Sequence, residues 1–387
     1  MLPDPAAGAV PEIDAAAFEV ELRDSADVVV LDTRDREAFA AWHVDVAAGN
    51  VTNVPESEIE ANPEEVLELV RPHPRLRVIC TAGKASRRVA ARLGEQGVEA
   101  VSVRGGMIAW SRLLRADEIA VGEGFEVVQF RREARGCLSY LVTAEGEAMA
   151  VDPAPGIQPY LDAAEQRGVR VAHILDTHVH ADHVSGARDL ASETGASLLL
   201  SEAAVRRGVR YAKSVETIAD GTVIPFGSNR RATVIALPGH TSDMIGLQIG
   251  RTALLSGDSL FADSVARPDL ELGDAGAVEA ARRLHRTLRE RVASLPDSTL
   301  LLPGHYAGGR RQGPIVESLG SVRSRVKELT LGEDEFVARV VLDMPPKPAN
   351  YASIIAVNLG EDLPPDEAAR LEIGTNNCAA KAEWAVA

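Results

Sequence analysis

Cysteine is scarce in this chain of 387 residues: Cys80, Cys137 and Cys378 stand far apart, so a disulfide framework is not expected and each thiol is judged by its own surroundings. Long apolar runs are missing too, and no stretch of continuous apolar residues reaches the length needed to span a bilayer. The opening Met1-Leu2-Pro3-Asp4-Pro5 has neither the basic nor the apolar region of a secretory signal, which leads to the expectation of a cytoplasmic protein. Positive charge is in deficit, with 41 Lys and Arg against 57 Asp and Glu and a net charge of −16. Without a long basic run this argues against a nucleic-acid surface, and small molecules are the expected partners. A homo-oligomer is compatible with this composition. Lysine is the rarer cation, at positions 84, 213, 327, 347 and 381 only, so a lysine inside a reactive loop stands out.

What is present suggests two or three folding units by length. After a Pro/Ala-rich lead, residues 13–114 alternate short apolar strands with amphipathic helices. Val28-Val29-Val30-Leu31 and Arg77-Val78-Ile79-Cys80 read as buried parallel strands, and residues 84–93 as a helix with Val89, Ala90 and Leu93 on one face. Residues 116–124, polar with two glycines, read as a linker. From Phe125 the pattern turns to strand pairs and mixed sheets: residues 125–130, 138–143, 148–151, 171–175 and 232–237, with helices over 158–166 and 186–194. A turn at Pro345-Pro346-Lys347-Pro348 opens a C-terminal extension assigned to the second unit.

The densest chemistry is Thr177-His178-Val179-His180-Ala181-Asp182-His183, directly after the strand ending at Leu175. Several neighbouring imidazoles buried without an ion would leave polar nitrogens unsatisfied at roughly 1 to 3 kcal/mol each, so the run points to a metal. Further His and Asp stations follow at the ends of later strands: Pro238-Gly239-His240, Gly257-Asp258 and Pro303-Gly304-His305. Loops at strand ends open onto one sheet edge and so can converge.

This ordered set resembles the metallo-β-lactamase fold superfamily over about residues 125–330, which implies an αββα domain. The strings around residues 177–186, Pro238-Gly239-His240-Thr241, Gly257-Asp258 and Ala266-Arg267-Pro268-Asp269-Leu270, with the tail at residues 344–351, resemble the persulfide dioxygenases within it. That resemblance implies one Fe(II) per chain held by His178, His240 and Asp258. His180, Asp182, His183 and His305 would orient those ligands and bound water, and Arg267 would join the active site or an ion pair beside it. Two imidazoles and one carboxylate on one face leave three coordination positions free, an arrangement suited to non-haem Fe(II) oxygen chemistry. The implied reaction oxidises a low-molecular-weight thiol persulfide, such as glutathione persulfide, with O2 to sulfite and thiol. The rival implied by the same stations is a glyoxalase II-like thioester hydrolase holding two Zn(II).

Cys80 lies at the end of its strand, and Cys80-Thr81-Ala82-Gly83-Lys84-Ala85-Ser86 leads straight into a helix. A thiol so placed faces a helix N-terminus and a set of backbone N–H groups, which favour its anionic form. Lys84 adds a positive charge. The loop and its surroundings, Leu31-Asp32-Thr33-Arg34 with Glu37, His43, Asn53-Val54-Pro55 and Val103-Arg104-Gly105-Gly106, resemble rhodanese domains. That similarity implies a parallel-sheet α/β sulfurtransferase, with Cys80 and Lys84 as catalytic residues and thiosulfate or sulfite as exchange partners. One departure is that many rhodaneses carry Arg at the fifth or sixth loop position, where this chain has Lys84 and Ala85. The expected organisation is therefore a rhodanese-like domain over residues 1–118 and a metallo-β-lactamase-fold persulfide dioxygenase domain over residues 119–387. A domain that moves sulfane sulfur and one that oxidises persulfide share an intermediate, whereas a thioester hydrolase has no evident use for the first. Cys137 reads as a small core hydrophobe, Cys378 as a packed thiol or a sulfur relay, His43 as structural and His285 as part of a solvated helix face. His73 and His173 carry no motif.

Overall fold

Strands rich in β-branched residues with little polar interruption fit a sheet covered on both faces, and the first two of this kind, Val29–Asp32 and Leu76–Ile79, are neighbours in a five-stranded sheet. The computed structural model describes residues 10–45, 50–306, 313–342, 344–374 and 376–380. The Pro/Ala-rich lead through residue 9 lies outside them. Across the first sheet the order is Glu12–Ile13, Ala100–Val103, Leu76–Ile79, Val29–Asp32, Val51–Asn53, every pairing parallel. The helix Lys84–Glu95 turns Val89, Ala90 and Leu93 into a core with Leu31, Leu76 and Val78. The predicted α/β unit is thus present, with its helix two residues longer than the apolar face alone indicates.

Two compact units divide at Leu113 and Leu114. Residues 116–124, read from composition as a linker, are instead mostly strand. Leu114–Gly122 pairs antiparallel along the whole length of Phe125–Arg132, from Leu114 opposite Arg132 to Gly122 opposite Phe125. As the outermost strand of its sheet it buries only alternate residues, Ile119 and Val121 among them, so a polar composition is what its exposed face requires.

The second unit holds two mixed sheets. One runs Glu216–Ile218, Ser197–Ser201, Arg170–Leu175, Glu147–Val151, Leu138–Ala144, Phe125–Arg132, Leu114–Gly122; the other runs Val223–Phe226, Arg230–Ala236, Ile245–Ile249, Ala253–Gly257, Leu300–Pro303, Glu317–Ser318. Their inner faces share one core, with Val127, Val142, Met149, Val151 and Leu199 from the first against Val234, Leu247, Ile249 and Leu302 from the second. The outer face of the first sheet is covered by helices Gln158–Arg167 and Ala187–Thr194 through Tyr160, Ala163 and Leu190. That of the second is covered by Gly273–Thr287, Leu319–Arg325 and Glu333–Leu342 through Leu284, Val322 and Phe336. This is the αββα architecture that the resemblance implied, with central strands such as Leu138–Ala144 and Ala253–Gly257 buried on both faces. Among the described residues no helix is long and apolar enough to cross a membrane.

Candidate metal centre and cysteine loop

All the motif loops leave strand ends. Arg170–Leu175 runs into the histidine cluster, Arg230–Ala236 into Pro238-Gly239-His240, Ala253–Gly257 into Asp258 and Leu300–Pro303 into His305. Their side chains meet in a buried cluster. His178 Nε2 lies 3.9 Å and His240 Nε2 3.7 Å from Asp258 Oδ2. All three atoms are buried and none has a hydrogen-bond partner. Leaving three such atoms unsatisfied would be a heavy penalty for folding, so the geometry fits a cation held between them.

Each of these three side chains has its second polar atom already committed, which decides what the first can do. His240 Nδ1 donates to the Arg267 carbonyl at 2.7 Å, and because a carbonyl only accepts, the Nε2 lone pair faces the centre. His178 Nδ1 contacts Thr177 Oγ1 at 2.9 Å, and that hydroxyl donates to Asp152 Oδ2 at 2.9 Å. Asp258 Oδ1 accepts from His305 Nδ1 at 2.7 Å, leaving Oδ2 free. Burial, reinforced by the neighbouring imidazoles, holds His178 well below its ordinary pKa, and burial lowers His240 as well, so both environments favour the neutral imidazole that can offer a lone pair to a cation. Burial opposes ionisation of Asp258, but His305 outweighs it and keeps the carboxyl below its usual range.

The remaining cluster residues divide into two groups. His305 bridges two carboxylates, donating through Nε2 to Asp182 Oδ2 at 2.8 Å as well as to Asp258. Burial works against its protonation, yet Asp258 and Asp182 together push it well above its ordinary value. His183 donates to Asp182 Oδ1 at 3.1 Å and, with burial again opposing and Asp182 dominant among the favourable contributions, rises to about 10. His180 leaves its Nδ1 buried without a partner and engages the opposite nitrogen. Its Nε2 donates to Asp152 Oδ1 at 3.2 Å and lies 3.9 Å from Asp176, a buried group separate from the His178, His240 and Asp258 triad.

Arg267 has its guanidinium engaged by Asp269 at 2.7 and 3.0 Å and by the Pro346 and Asn377 carbonyls, both at 2.9 Å. Toward the centre it offers its own carbonyl to His240 and so fixes the orientation of that imidazole.

Several residues of this site escaped sequence reasoning. Asp152 receives Thr177 N–H, Thr177 Oγ1 and His180 at once, which ties the start of the histidine cluster to the neighbouring strand. Its place at the end of an apolar strand was the available signal. Cys137 is buried, as its small apolar side chain suggested, but its neighbours are polar: Sγ lies 3.3 Å from Asp182 Oδ2, and the backbone of Cys137 pairs with His305. Burial and Asp182 raise its pKa, while His305 and His183 overcome them and leave it at about 6. Cys378, also buried, reaches Asp258 and His305 from the C-terminal extension. From the same extension Asn358 Nδ2 donates to the His180 and His183 carbonyls at 2.9 and 2.8 Å, and its Oδ1 accepts from Ser185 N–H at 2.9 Å. Glu372 accepts from Arg132 at 2.9 Å and from Val184 N–H at 3.1 Å. Nothing in the local pattern of residues 358 or 372 signals a partner almost two hundred residues away. His285 is half-buried, with Nε2 on the Leu331 carbonyl at 3.1 Å, in place of the solvated face expected for it.

In the first unit Cys80 is buried at the mouth of its loop. Gly83 N–H points to its Sγ at 3.1 Å, and the thiol donates to Ser86 Oγ at 3.4 Å, itself 2.9 Å from Ser102 Oγ. Lys84 is exposed at the first turn of the following helix. The loop is cradled by Gly105-Gly106: Met107 N–H donates to the Cys80 carbonyl and Ile108 N–H to that of Thr81. Gly106, at φ +55°, leaves no room for more, since a Cβ there would stand 2.1 Å from the Cys80 carbonyl oxygen. Arg34 is buried against Asp32 and caps the Trp42 carbonyl, a structural pairing.

Comparison with known proteins agrees with both halves of this architecture. The metallo-beta-lactamase superfamily matches over residues 132–305 and the rhodanese-like domain over residues 16–113. The hydroxyacylglutathione hydrolase of Polaromonas sp. is 34% identical over 171 residues, which are 43% of this chain and 61% of that protein. That of Methylococcus capsulatus is 32% identical over 202 residues, 50% of this chain and 72% of that protein. The bovine mitochondrial persulfide dioxygenase ETHE1 is 28% identical over 223 residues, 57% and 82% of the two chains. A solved metallo-beta-lactamase from Staphylococcus aureus superposes with a TM-score of 0.57 at 26% identity, covering 62% of this chain and 74% of that one. The chain thus spans about three fifths of the Polaromonas relative, and its relatives bear the names of both a hydrolase and a dioxygenase.

Proposed function

From the premise that this chain belongs to the metallo-beta-lactamase superfamily and carries a rhodanese-like domain ahead of that fold, we propose that it oxidises a low-molecular-weight thiol persulfide with O2 and exchanges sulfane sulfur through Cys80. The observation that carries this reading is the triad of partnerless donor atoms on His178, His240 and Asp258, which lie within 4.8 Å of one another, while His180 Nε2 is taken by Asp152. Two imidazoles and one carboxylate suit a single non-haem ferrous ion, which when bound supplies O2 activation beside the substrate sulfur. The overall change is RSSH + O2 + H2O giving RSH, SO3²⁻ and two protons.

The chain's own residues set the geometry for that reaction. Arg267 and Thr177 orient the two imidazoles, and His305 holds Asp258 so that one carboxylate oxygen faces the centre. Asp182, between His305 and His183, keeps a protonated imidazole next to Asp258, which favours negative charge developing nearby. In the first domain the Cys80 thiolate attacks the outer sulfur of thiosulfate; the S–S bond breaks, sulfite leaves and a Cys80 persulfide remains for an acceptor thiol. Gly83 N–H is placed to meet the charge on Sγ, and Lys84 lies at the loop to attract an anionic donor.

The rival, hydrolysis of a thioester by two zinc ions, draws support from the hydrolase names among the relatives and from the second donor group of Cys137, Asp182, His183 and His305. One experiment divides them: metal analysis of protein produced with ample iron, together with an oxygen electrode and glutathione persulfide. The oxygenase reading expects one iron per chain and persulfide-dependent O2 uptake, both lost in His178→Ala, His240→Ala and Asp258→Ala. Two zinc ions with O2-independent cleavage of an S-acyl thiol would overturn it.

A further inference from the structure

Two hydroxyls beside the Cys80 loop stand on otherwise apolar buried faces. Ser86 shares the inner face of the helix Lys84–Glu95 with Val89, Ala90 and Leu93, and Ser102 is buried within the strand Ala100–Val103. Neither has any exposure to solvent. A hydroxyl buried this way is costly unless it is bonded, and here the bonds lead to the cysteine. Ser86 Oγ lies 3.4 Å from Cys80 Sγ and 2.9 Å from Ser102 Oγ. Gly83 N–H also donates to Sγ, at 3.1 Å.

The number of protons decides which form of the sulfur these atoms suit. Sγ and the two Oγ atoms are joined by two hydrogen bonds. A neutral Cys80 brings three protons, one on each atom; two fill the links, and the third, on Ser102, meets no acceptor among the described residues. An ionised Cys80 leaves two protons for two links, with Ser102 donating to Ser86 and Ser86 to Sγ. Both hydroxyl protons are then used, and both bonds point toward the charge. Hydrogen bonds to an ionised acceptor are roughly twice as strong as neutral ones, so the chain of hydroxyls is complementary to an anionic sulfur.

We propose that Ser86 is a catalytic residue of sulfur transfer, donating to Sγ whenever that atom carries negative charge, and that Ser102 positions it. The inference rests on the reading of Cys80 as the sulfur carrier. Charge reaches Sγ twice in that reaction. The thiolate first takes the outer sulfur of thiosulfate, giving Cys80–S–S⁻ and sulfite. An acceptor thiol then attacks the outer sulfur; the S–S bond breaks, its electron pair returns to Sγ, and the thiol proton stays with the product, so that Cys80–S–S⁻ + RSH gives Cys80–S⁻ + RSSH. Ser86 O–H and Gly83 N–H meet that returning charge together. Ser86 thus touches the reacting atom, and Ser102 acts only through Ser86.

The test is alkylation of Cys80 in the full chain by iodoacetamide across a range of pH, followed by mass spectrometry of the peptide that carries it. Ser86→Ala is expected to raise the pH midpoint of alkylation by about one unit and Ser102→Ala by about half a unit, the scale of one hydrogen bond to a charge. The double variant is expected to match Ser86→Ala alone, because the second hydroxyl works through the first. Turnover of thiosulfate with an acceptor thiol should fall about tenfold in Ser86→Ala, the rate equivalent of one unit. A role confined to packing would lower the urea midpoint of unfolding and leave the alkylation midpoint where it is. An unmoved alkylation midpoint in Ser86→Ala therefore overturns the donation, and additive shifts in the double variant overturn the positioning by Ser102. Alkylation uses no sulfur donor, so a wild-type chain without sulfur transfer would strike the reading of Cys80, while the midpoints test the hydroxyls by themselves.

Discussion

Asn358 offers the sharpest test of how the C-terminal extension holds the histidine segment at the candidate metal centre. Its side chain bonds the carbonyls of His180 and His183 and the N–H of Ser185, so one residue holds three backbone groups of the segment that follows His178. The site is buried, and Asn358→Ala leaves those groups without their partner. At a net contribution near 1 kcal/mol for each hydrogen bond, the loss is about 3 kcal/mol. If the whole loss is felt by the metal-bound form, affinity for the ion falls by about two decades, and any part felt elsewhere appears as a lower unfolding midpoint. Competition against a chelating dye measures the first, and urea denaturation of the metal-free protein measures the second. Asn358→Asp, which keeps the acceptor for Ser185 N–H and loses both donors, should fall between Ala and wild type or below Ala because its charge faces two carbonyls. Unchanged metal affinity together with an unchanged urea midpoint in Asn358→Ala would refute the clamp.

Other outcomes follow from the same contacts. Cys80→Ser should abolish thiosulfate:thiol sulfur transfer while leaving persulfide-dependent O2 uptake largely intact; collapse of both in paired assays would defeat the division into two sites. Gly106→Ala forces a Cβ against the Cys80 carbonyl at a left-handed φ, so it should cost a few kcal/mol, roughly 2 to 4, and remove sulfur transfer without changing metal content; a variant with wild-type transfer rates would show that the cradle is dispensable. Burial opposes ionisation of Glu372, but Arg132 and Arg135 outweigh it and hold the carboxyl below its usual 4.5. A depressed folded value means that its stabilisation is present above about pH 4.5 and is lost as pH falls toward the folded value, so Glu372→Gln should be less stable than wild type at neutral pH and the gap should narrow in acid. Denaturation of metal-free protein at several pH values reads this, and a gap that widened on acidification would reverse the assigned sign.

Much of the architecture was legible because it depends on local pattern. Period and composition placed the strands around Val30, Val78, Leu141 and Ile174 and the helix after Cys80, since burial on both faces demands continuous apolar runs and Val89, Ala90 and Leu93 recur on one helical face. The edge strand Leu114–Gly122 was mistaken for a linker because one of its faces meets solvent and only every second residue reports its fold.

Residue chemistry and order named the His and Asp stations and Cys80 as candidates, because few groups bind metals or carry sulfur and each sits at or just after the end of a strand, while only the family resemblance singled out His178, His240 and Asp258 among them. Which ring nitrogens stay unpartnered, that His180 Nε2 meets Asp152, that the Arg267 carbonyl accepts from His240 and that Asn358 and Glu372 bond the backbone of the histidine segment were decided only in three dimensions. The reason is physical: a strand end announces itself through neighbours two to four residues away. A hydrogen bond between residues 183 and 358 exists only after both sheets and the C-terminal extension have packed, and no local periodicity encodes it.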